Sequence, residues 1–455
     1  MADFDLVVLG GGSGGYACAL RAAQLGLKVA LIEKEKLGGT CLHRGCIPTK
    51  ALLHAGEIAD GARHSAEFGV KAEFHSMDMV AVNAYKDGVI SKLHKGLQGL
   101  VKSRNITYVE GEGKLVSATT VKVGSESYIG KNVVLATGSY AKSLPGLDID
   151  GKQVITSDQA IHMGYVPKSV IVLGGGVIGC EFASVWKSFG AEVRIIEALP
   201  HLVALEDESS SKALERAYRK RGINFELGVK FKSVNKSASG VEVLLEDGKS
   251  FAADLLLVAV GRGPVSVGLG YEDVGVKMDR GFVLVDNKCR TNIKGVWAVG
   301  DLIPTLQLAH VGFAEGIMVA EEIAGLNPRP IDYDGVPRVT YSEPEVASVG
   351  LTTAEAKKRG IEIKELNYDL AGNGKAQILK TAGAIKLVAD SSGTVIGIHM
   401  VGSRVGELLA EAQLIFNWRA DADDVAQHLH AHPTLSEAMG EAHMALAGKP
   451  LHAHG

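Results

Sequence analysis

A pattern of glycines between short apolar runs occurs twice in this chain, and its spacing leaves few folds open. Leu6 to Leu9 is followed by Gly10-Gly11-Gly12-Ser13-Gly14-Gly15, an Ala-rich stretch to about Leu25, a second apolar run from Val29 to Ile32, and then Glu33. Short apolar runs bounded by glycine read as buried strands, and the stretch between them as a helix. In such a unit Gly10 allows the tight turn, Gly12 lets backbone approach a pyrophosphate, and Gly15 lets the helix pack closely on the strand. The helix N-terminus offers unpaired N–H groups and the positive end of its dipole to an anion. Glu33, roughly 20 residues past the first glycine, is placed to accept a hydrogen bond from a ribose hydroxyl.

The same grammar returns at Val170 to Leu173, Gly174-Gly175-Gly176-Val177-Ile178-Gly179, a helix to about Phe189, and Val193 to Ile196 ending at Glu197. An acid there bonds a free 2'-hydroxyl and repels a 2'-phosphate, so this second site is expected to prefer NAD over NADP. Downstream of Glu197 the nearest arginine is Arg216. Two such units predict two bound dinucleotides with electrons passing between them; the alternative is that one unit is a degenerate structural copy.

Composition narrows the class further. A chain of 455 residues with 48 basic and 52 acidic side chains and net charge −4 has no long basic run to neutralise a row of phosphates, so nucleic acid is not an expected partner. No stretch reaches the ~18 apolar residues of a membrane span, so no membrane insertion is expected. The start, Met1-Ala2-Asp3-Phe4-Asp5, lacks a signal peptide's basic and apolar regions, and a cytoplasmic location is expected. Five cysteines are too few and odd in number for a secreted disulfide framework.

Two of the cysteines stand close together, in Gly38-Gly39-Thr40-Cys41-Leu42-His43-Arg44-Gly45-Cys46-Ile47-Pro48-Thr49-Lys50, followed by a helical pattern from Ala51. A pair so placed can interchange between disulfide and dithiol, and Arg44 and Lys50 favour the thiolate. A zinc site would need a second short-spaced pair, which the sequence lacks, so no metal is expected. Cys18, Cys180 and Cys289 read as small buried hydrophobes. A dithiol substrate must lose a proton before it attacks a disulfide, and histidine is the side chain with a pKa nearest neutrality. Among 15 histidines, His432 is distinguished by His432-Pro433-Thr434-Leu435-Ser436-Glu437. Glu437, about one helical turn on, can orient the imidazole. His428, His430 and His432 could also suggest a metal, but alternation on a segment ending in proline is a weak ligand argument, and His452 and His454 read as exposed.

These residues carry a resemblance. The cysteine segment, the two glycine loops, Ala136-Thr137-Gly138-Ser139, Ala298-Val299-Gly300-Asp301 and the terminal His-Pro-Thr-Leu-Ser-Glu together resemble the pyridine nucleotide-disulfide oxidoreductase family, in the family's order and over essentially the whole chain. The resemblance implies an α/β fold with two Rossmann-like dinucleotide-binding domains plus a C-terminal α+β dimerisation domain. It implies FAD on the first loop, held by Gly10, Gly12, Gly15, Glu33, Gly39, Thr40, Lys50, Gly113, Thr137, Gly138, Asp301 and Ala309. It implies NAD on the second, held by Gly174, Gly176, Gly179, Glu181, Glu197 and Gly261. The implied catalytic set is Cys41, Cys46, His432, Glu437, Lys50 and Glu181, with Lys50 beside the flavin and Glu181 its ion-pair partner.

The implied organisation is an FAD domain over residues 1–143 and 266–332, an NAD domain over 144–265 and an interface domain over 333–455. The interface domain would begin near Tyr341-Ser342-Glu343-Pro344-Glu345, and His432 would serve the other subunit of a homodimer with a shared active site. Val296 to Asp301 and Leu255 to Val260 read as strands, as do Gly383 to Val388 and Val395 to Val401; Leu408 to Trp418 reads as helix. The implied activity is oxidation of a dihydrolipoyl group, carried on a lipoyl domain of a 2-oxo acid dehydrogenase or glycine cleavage complex, with NAD as acceptor. Reduction of another disulfide or a metal substrate within the same family, and a non-catalytic flavoprotein scaffold, are the alternatives. Two departures stand out. His43 and Arg44 replace the smaller Asn-Val pair expected between the cysteines, and Arg262-Gly263-Pro264-Val265 lacks the usual second arginine and asparagine.

Overall fold

A computed structural model describes residues 2–452, and the expectation for His454 lies outside them. The first glycine unit folds as strand Phe4–Leu9, helix Ser13–Gln24 and strand Val29–Glu33. The two strands pair in parallel, and Phe4–Leu9 pairs on its other side with Glu126–Leu135, also in parallel. Leu6, Val7, Val8 and Val133 to Leu135 are fully buried, as continuous apolar runs in a parallel sheet covered on both faces must be. Strand Val296–Ala298 returns to this sheet and pairs in parallel with Val133 to Leu135, completing seven strands. It ends at Ala298 rather than at Asp301. Gly300, at φ +72°, turns the chain into a short 3₁₀ segment, Gly300–Leu302, that carries the aspartate.

The second unit repeats the arrangement as strand Ser169–Leu173, helix Val177–Phe189 and strand Glu192–Glu197, within a five-stranded parallel sheet. Leu255–Val258 is a fully buried strand of that sheet. The apolar run ends there: Arg262–Pro264 is a separate strand, antiparallel to Ser139–Ala141. The C-terminal region is a five-stranded antiparallel sheet, Arg338–Thr340, Glu345–Gly350, Val395–Gly402, Ala384–Asp390 and Ile363–Asp369 in spatial order, covered by helices Val405–Asn417 and Glu437–Leu446. The α/β class and the α+β C-terminal architecture are those expected from the sequence.

Two close helix contacts position the functional residues. Helix Ala309–Ile323 lies on helix Ser13–Gln24 with almost no side chain between them; a Cβ on Gly316 would sit 2.2 Å from the Gly14 carbonyl oxygen. The other pair is helix Cys46–His64 against Val177–Phe189, where a Cβ on Gly56 would meet Ser188 Cβ at 2.9 Å. Leu52 shares one apolar core with Phe182, Ala183 and Trp186. The cysteine helix starts at Cys46 rather than Ala51, because Pro48 lies in the first turn, where its missing N–H costs no hydrogen bond. Among the described residues no helix is long and apolar enough to cross a membrane.

Candidate functional site

The two glycine loops are built alike. Gly10 and Gly174 both sit at φ +109°, in the left-handed region that only glycine enters without strain. A Cβ on Gly15 would stand 1.8 Å from the Gly10 oxygen, and one on Gly179 would stand 1.9 Å from the Gly174 oxygen. Gly12 and Gly176 precede the helices and supply no side-chain cap, so no capping side chain takes up the first-turn N–H groups. A Cβ on Gly12 would meet only Gly39 Cα, at 3.9 Å, and one on Gly176 nothing within 4 Å, so space stands open at both helix starts. Both loops therefore fit a dinucleotide pyrophosphate.

The acids at the strand ends have a duty the sequence did not reveal. Gly11 N–H donates to Glu33 Oε2 (2.7 Å) and Glu35 N–H to Glu33 Oε1 (2.8 Å). Gly175 N–H donates to Glu197 Oε2 (2.5 Å) and Leu199 N–H to Glu197 Oε1 (2.7 Å). Each carboxylate thus braces its own glycine loop, and each oxygen keeps a second lone pair for a ribose hydroxyl. A small cavity brings Gly10, Glu33, Gly113 and Thr137 together at the end of the first sheet. The Thr137 hydroxyl is already engaged with Val265 O (2.6 Å) and Tyr271 OH (3.0 Å), and Gly138 turns the chain at φ +72°. Asp301 accepts a 2.5 Å hydrogen bond from Ser139 Oγ, which itself accepts from Arg262 Nε (2.7 Å). Ala309 is the first residue of its helix. Gly39 packs against the first loop so closely that a Cβ there would lie 2.7 Å from Gly12 Cα, and Thr40 follows it. Gly261, at φ +104°, has open space beside it near the second loop.

Both Cys41 and Cys46 carry free thiols and are partly buried, Cys41 in the short helix Gly39–His43 and Cys46 opening the next one. They are electrostatically unlike. A hydrogen bond from the Cys41 thiol holds Cys46 below the usual thiol range against the effect of burial, and Lys50 adds to the lowering. That same bond, with burial, drives Cys41 far above it. The Lys50 ammonium lies 2.8 Å from both oxygens of Glu181. Burial works against its charge, and the Glu181 carboxylate more than offsets this, holding Lys50 above its ordinary range. The sequence reading missed Tyr16 and Tyr341. Burial and then the charges of the two cysteines push Tyr16 up to about 12. Tyr341 sets its ring over Lys50 and its N–H on Glu181. Tyr16 follows directly on the glycine loop, a position that could have flagged it; Tyr341 offers no motif of its own.

His432 and Glu437 meet through a 2.8 Å hydrogen bond between Nδ1 and Oε1, while Thr434 N–H donates to Glu437 Oε2 (2.7 Å). Burial opposes the Glu437 charge, but the Thr434 and His432 bonds outweigh it and keep the carboxyl below its usual range. The imidazole is 77% exposed, in the bend that leads into helix Glu437–Leu446, which packs against the C-terminal sheet of its own chain. His430 turns instead to Glu411 (2.8 Å). Among the described residues no three His, Cys, Asp or Glu side chains are grouped to hold a metal ion. His452, exposed as read, bonds Glu441 at 3.0 Å. Cys18, Cys180 and Cys289 are buried. His43 bonds Leu37 O (2.9 Å) and meets His94 edge-on, while Arg44 pairs with Glu35 (2.9 Å). Both line a cavity of about 600 Å³ that neither Cys41 nor Cys46 borders.

Comparison with known proteins extends these findings over the whole chain. The family described as pyridine nucleotide-disulphide oxidoreductase matches residues 4–316, and its dimerisation domain matches residues 336–443. A dihydrolipoyl dehydrogenase of Bacillus subtilis is 42% identical over 99% of this chain and 99% of its own length. Mitochondrial dihydrolipoyl dehydrogenase 1 of Arabidopsis thaliana is 41% identical over 98% of this chain and 91% of its own. The crystal structure of LpdA from Mycobacterium tuberculosis superposes with a TM-score of 0.91 at 27% identity, covering 97% of this chain and 99% of that one.

Proposed function

The chain belongs to the pyridine nucleotide-disulphide oxidoreductase family, and from that premise we propose that it oxidises a protein-bound dihydrolipoyl group to its cyclic disulfide, with FAD and NAD as cofactors. Relatives at about 40% identity over nearly their full length bear the name dihydrolipoyl dehydrogenase. The observation that carries the reading is the asymmetry of the cysteine pair: one thiol held toward its thiolate beside a lysine, the other held toward its protonated form.

In the oxidised protein Cys41 and Cys46 form a disulfide. His432 Nε2 takes a proton from one thiol of the substrate while Glu437 holds Nδ1 and steadies the imidazolium. The substrate thiolate attacks Cys41 Sγ, the Cys41–Cys46 bond breaks, and its electron pair leaves on Cys46 as thiolate. The second substrate thiol then attacks the substrate sulfur of the mixed disulfide, expelling Cys41 and closing the lipoyl ring, and its proton passes to the Cys41 thiolate. Two electrons have moved from substrate to protein. The positive charge of Lys50 and the N-terminus of the helix that Cys46 opens stabilise that thiolate. FAD held beside Cys46 and Lys50 would supply a two-electron acceptor for that thiolate, and NAD on the second loop the final hydride acceptor.

Gly10, Gly12, Gly15, Glu33, Gly39, Thr40, Gly113, Thr137, Gly138, Asp301 and Ala309 would hold FAD, with Lys50 at the flavin. The loop Gly174–Gly179 with Glu181, Glu197 and Gly261 would hold NAD. His432 is exposed on its own chain, which suits service to a second copy across the dimer: each subunit supplies the cysteines of one site and the histidine of the other. The lipoyl domain of a 2-oxo acid dehydrogenase or glycine cleavage complex is the partner, and the cytoplasm the location, that this reading implies. Rapid mixing of the holoenzyme with dihydrolipoamide tests it. The flavin should be reduced with a long-wavelength thiolate–flavin band in the wild type, and Cys41→Ser and Cys46→Ser should bind FAD but not turn over. Full lipoamide turnover by either serine variant refutes the scheme.

A further inference from the structure

Lys50 is enclosed from a direction that the cysteine helix does not supply. Its ammonium touches both oxygens of Glu181 at 2.8 Å, and the Tyr341 ring lies over it, 4.8 Å from nitrogen to ring centroid. The Tyr341 backbone N–H donates to Glu181 Oε1 at 3.0 Å. One residue therefore grips both members of the pair, the cation by its aromatic face and the carboxylate by its main chain. Its segment is fastened along the helix that carries Glu181. Glu343 N–H donates to Ser184 Oγ (2.9 Å), and Arg221 bonds both Ser184 Oγ (2.7 Å) and Glu343 O (2.8 Å). Glu181 and Ser184, three residues apart, share one helix face, so the bonds at Tyr341 and Glu343 hold the segment in register along it.

We propose that Tyr341 is a positioning residue for the thiol relay, fixing the Lys50–Glu181 pair beside Cys46 from the C-terminal part of its own chain. This rests on the reading of Cys41 and Cys46 as the redox pair. A lysine side chain has four rotatable bonds and a strongly hydrated head. A carboxylate alone leaves the ammonium free to swing toward water, whereas an aromatic face on its far side attracts it and excludes water. The charge then acts on Cys46 from a constant position. The titratable groups around this point are Glu181, Cys46 and Tyr341 about Lys50; Cys41, Lys50, Glu181 and Tyr16 about Cys46; and Lys50, Glu345, Glu181 and Glu407 about Tyr341. The Glu181 carboxylate works against a thiolate there and burial pushes Glu345 up to about 7, so Lys50 is the cation on which the Cys46 thiolate depends.

The test is a pH titration of the long-wavelength thiolate–flavin band in the two-electron-reduced holoenzyme, with flavin content and thermal unfolding measured alongside. Tyr341→Leu, which keeps the N–H and the bulk but loses the ring, should move the midpoint up by about 0.5 to 1 pH unit, a roughly 3- to 10-fold loss of thiolate below the midpoint. Tyr341→Met gives a second ringless side chain should the leucine variant fold poorly. Tyr341→Phe keeps ring and N–H and should restore the wild-type midpoint. A ringless variant titrating with the wild type, or Tyr341→Phe shifting as far as Tyr341→Leu, overturns the proposal. Cys46→Ser separates this failure from the one beneath it: a band that survives that substitution overturns the assignment of the thiolate, whatever Tyr341 does.

Discussion

The two glycine loops share their turn, their helix start and their bracing acid, and differ in what stands in front of them. At the first loop the chain returns at once: Gly39 closes on Gly12, the cysteine segment follows, and helix Ala309–Ile323 lies against the loop's own helix. At the second loop a Cβ on Gly176 would meet nothing within 4 Å, and Val177 beside it is exposed. Equal local grammar thus yields a walled cradle and an open one. A walled cradle suits a group that is bound once and kept, and an open one suits a group that enters and leaves at every turnover.

Substitutions at equivalent positions can break that contrast. The largest effect is expected at Gly15 and Gly179, where an added methyl meets a carbonyl oxygen at under 2 Å. Each alanine variant should lose about 3 kcal/mol or more by thermal or urea unfolding. Gly15→Ala should also emerge without flavin, whereas Gly179→Ala should keep flavin and lose NAD; equal loss of flavin from both would mean that the two units do not differ as described.

Gly12 and Gly176 have ordinary φ values of −74° and −76° and room for a methyl, so both alanine variants should fold. Flavin affinity in Gly12→Ala should fall by about 100-fold, because Gly39 leaves the cofactor nowhere to shift, and NAD affinity in Gly176→Ala by only about 10-fold (about 1.4 kcal/mol). Flavin retention on dialysis and NAD titration measure the two. A smaller change is expected at Glu197→Gln, which removes the charge that repels a 2'-phosphate and should lower the NAD over NADP preference by about 10-fold in kcat/KM. Glu33→Gln should leave that preference untouched.

The smallest effect sharpens the description of the wall. His43 and Arg44 face away from the thiols, toward Leu37, His94 and Glu35. The double change His43→Asn with Arg44→Val should alter lipoamide turnover by less than about threefold, since a partly exposed ion pair contributes only about 0 to 1 kcal/mol. A larger loss would place these side chains in the path of the substrate. With pH, the thiolate–flavin band of the wild type should appear as pH rises through a midpoint below the ordinary thiol range, because a lowered pKa leaves Cys46 ionised where a free cysteine is still protonated.

Much of this was legible along the chain because it depends on local spacing. Glycine periodicity located both loops, since φ near +109° and sub-2 Å approaches exclude a side chain whatever surrounds them. The cysteine pair and the His432–Glu437 pair were also legible, each lying within a few residues. Element ends were less so. The strand before Asp301 stopped early because Gly300 turns it, and the helix expected from Ala51 began at Cys46 because a proline in the first turn is no breaker. Tyr341 was invisible as a functional residue, since nothing in Tyr-Ser-Glu-Pro announces that it will lie over a lysine from a distant part of the chain.

The sequence alone determined what each segment can bind or exchange: backbone N–H groups bared by glycine, an acid for a ribose, two sulfurs within reach of one another, an imidazole with its orienting carboxylate. These are short-range properties set by residue type and spacing. Only the tertiary structure decided how those capacities are ranked and joined. It lowers one thiol and raises its neighbour, brings Lys50 to Glu181 across two helices, lays Tyr341 over both and closes one cradle while leaving the other open. Each of these follows from burial and from contacts between residues far apart in the chain, where a charge has few partners and little water, and its energy depends on which side chains the packing has placed beside it.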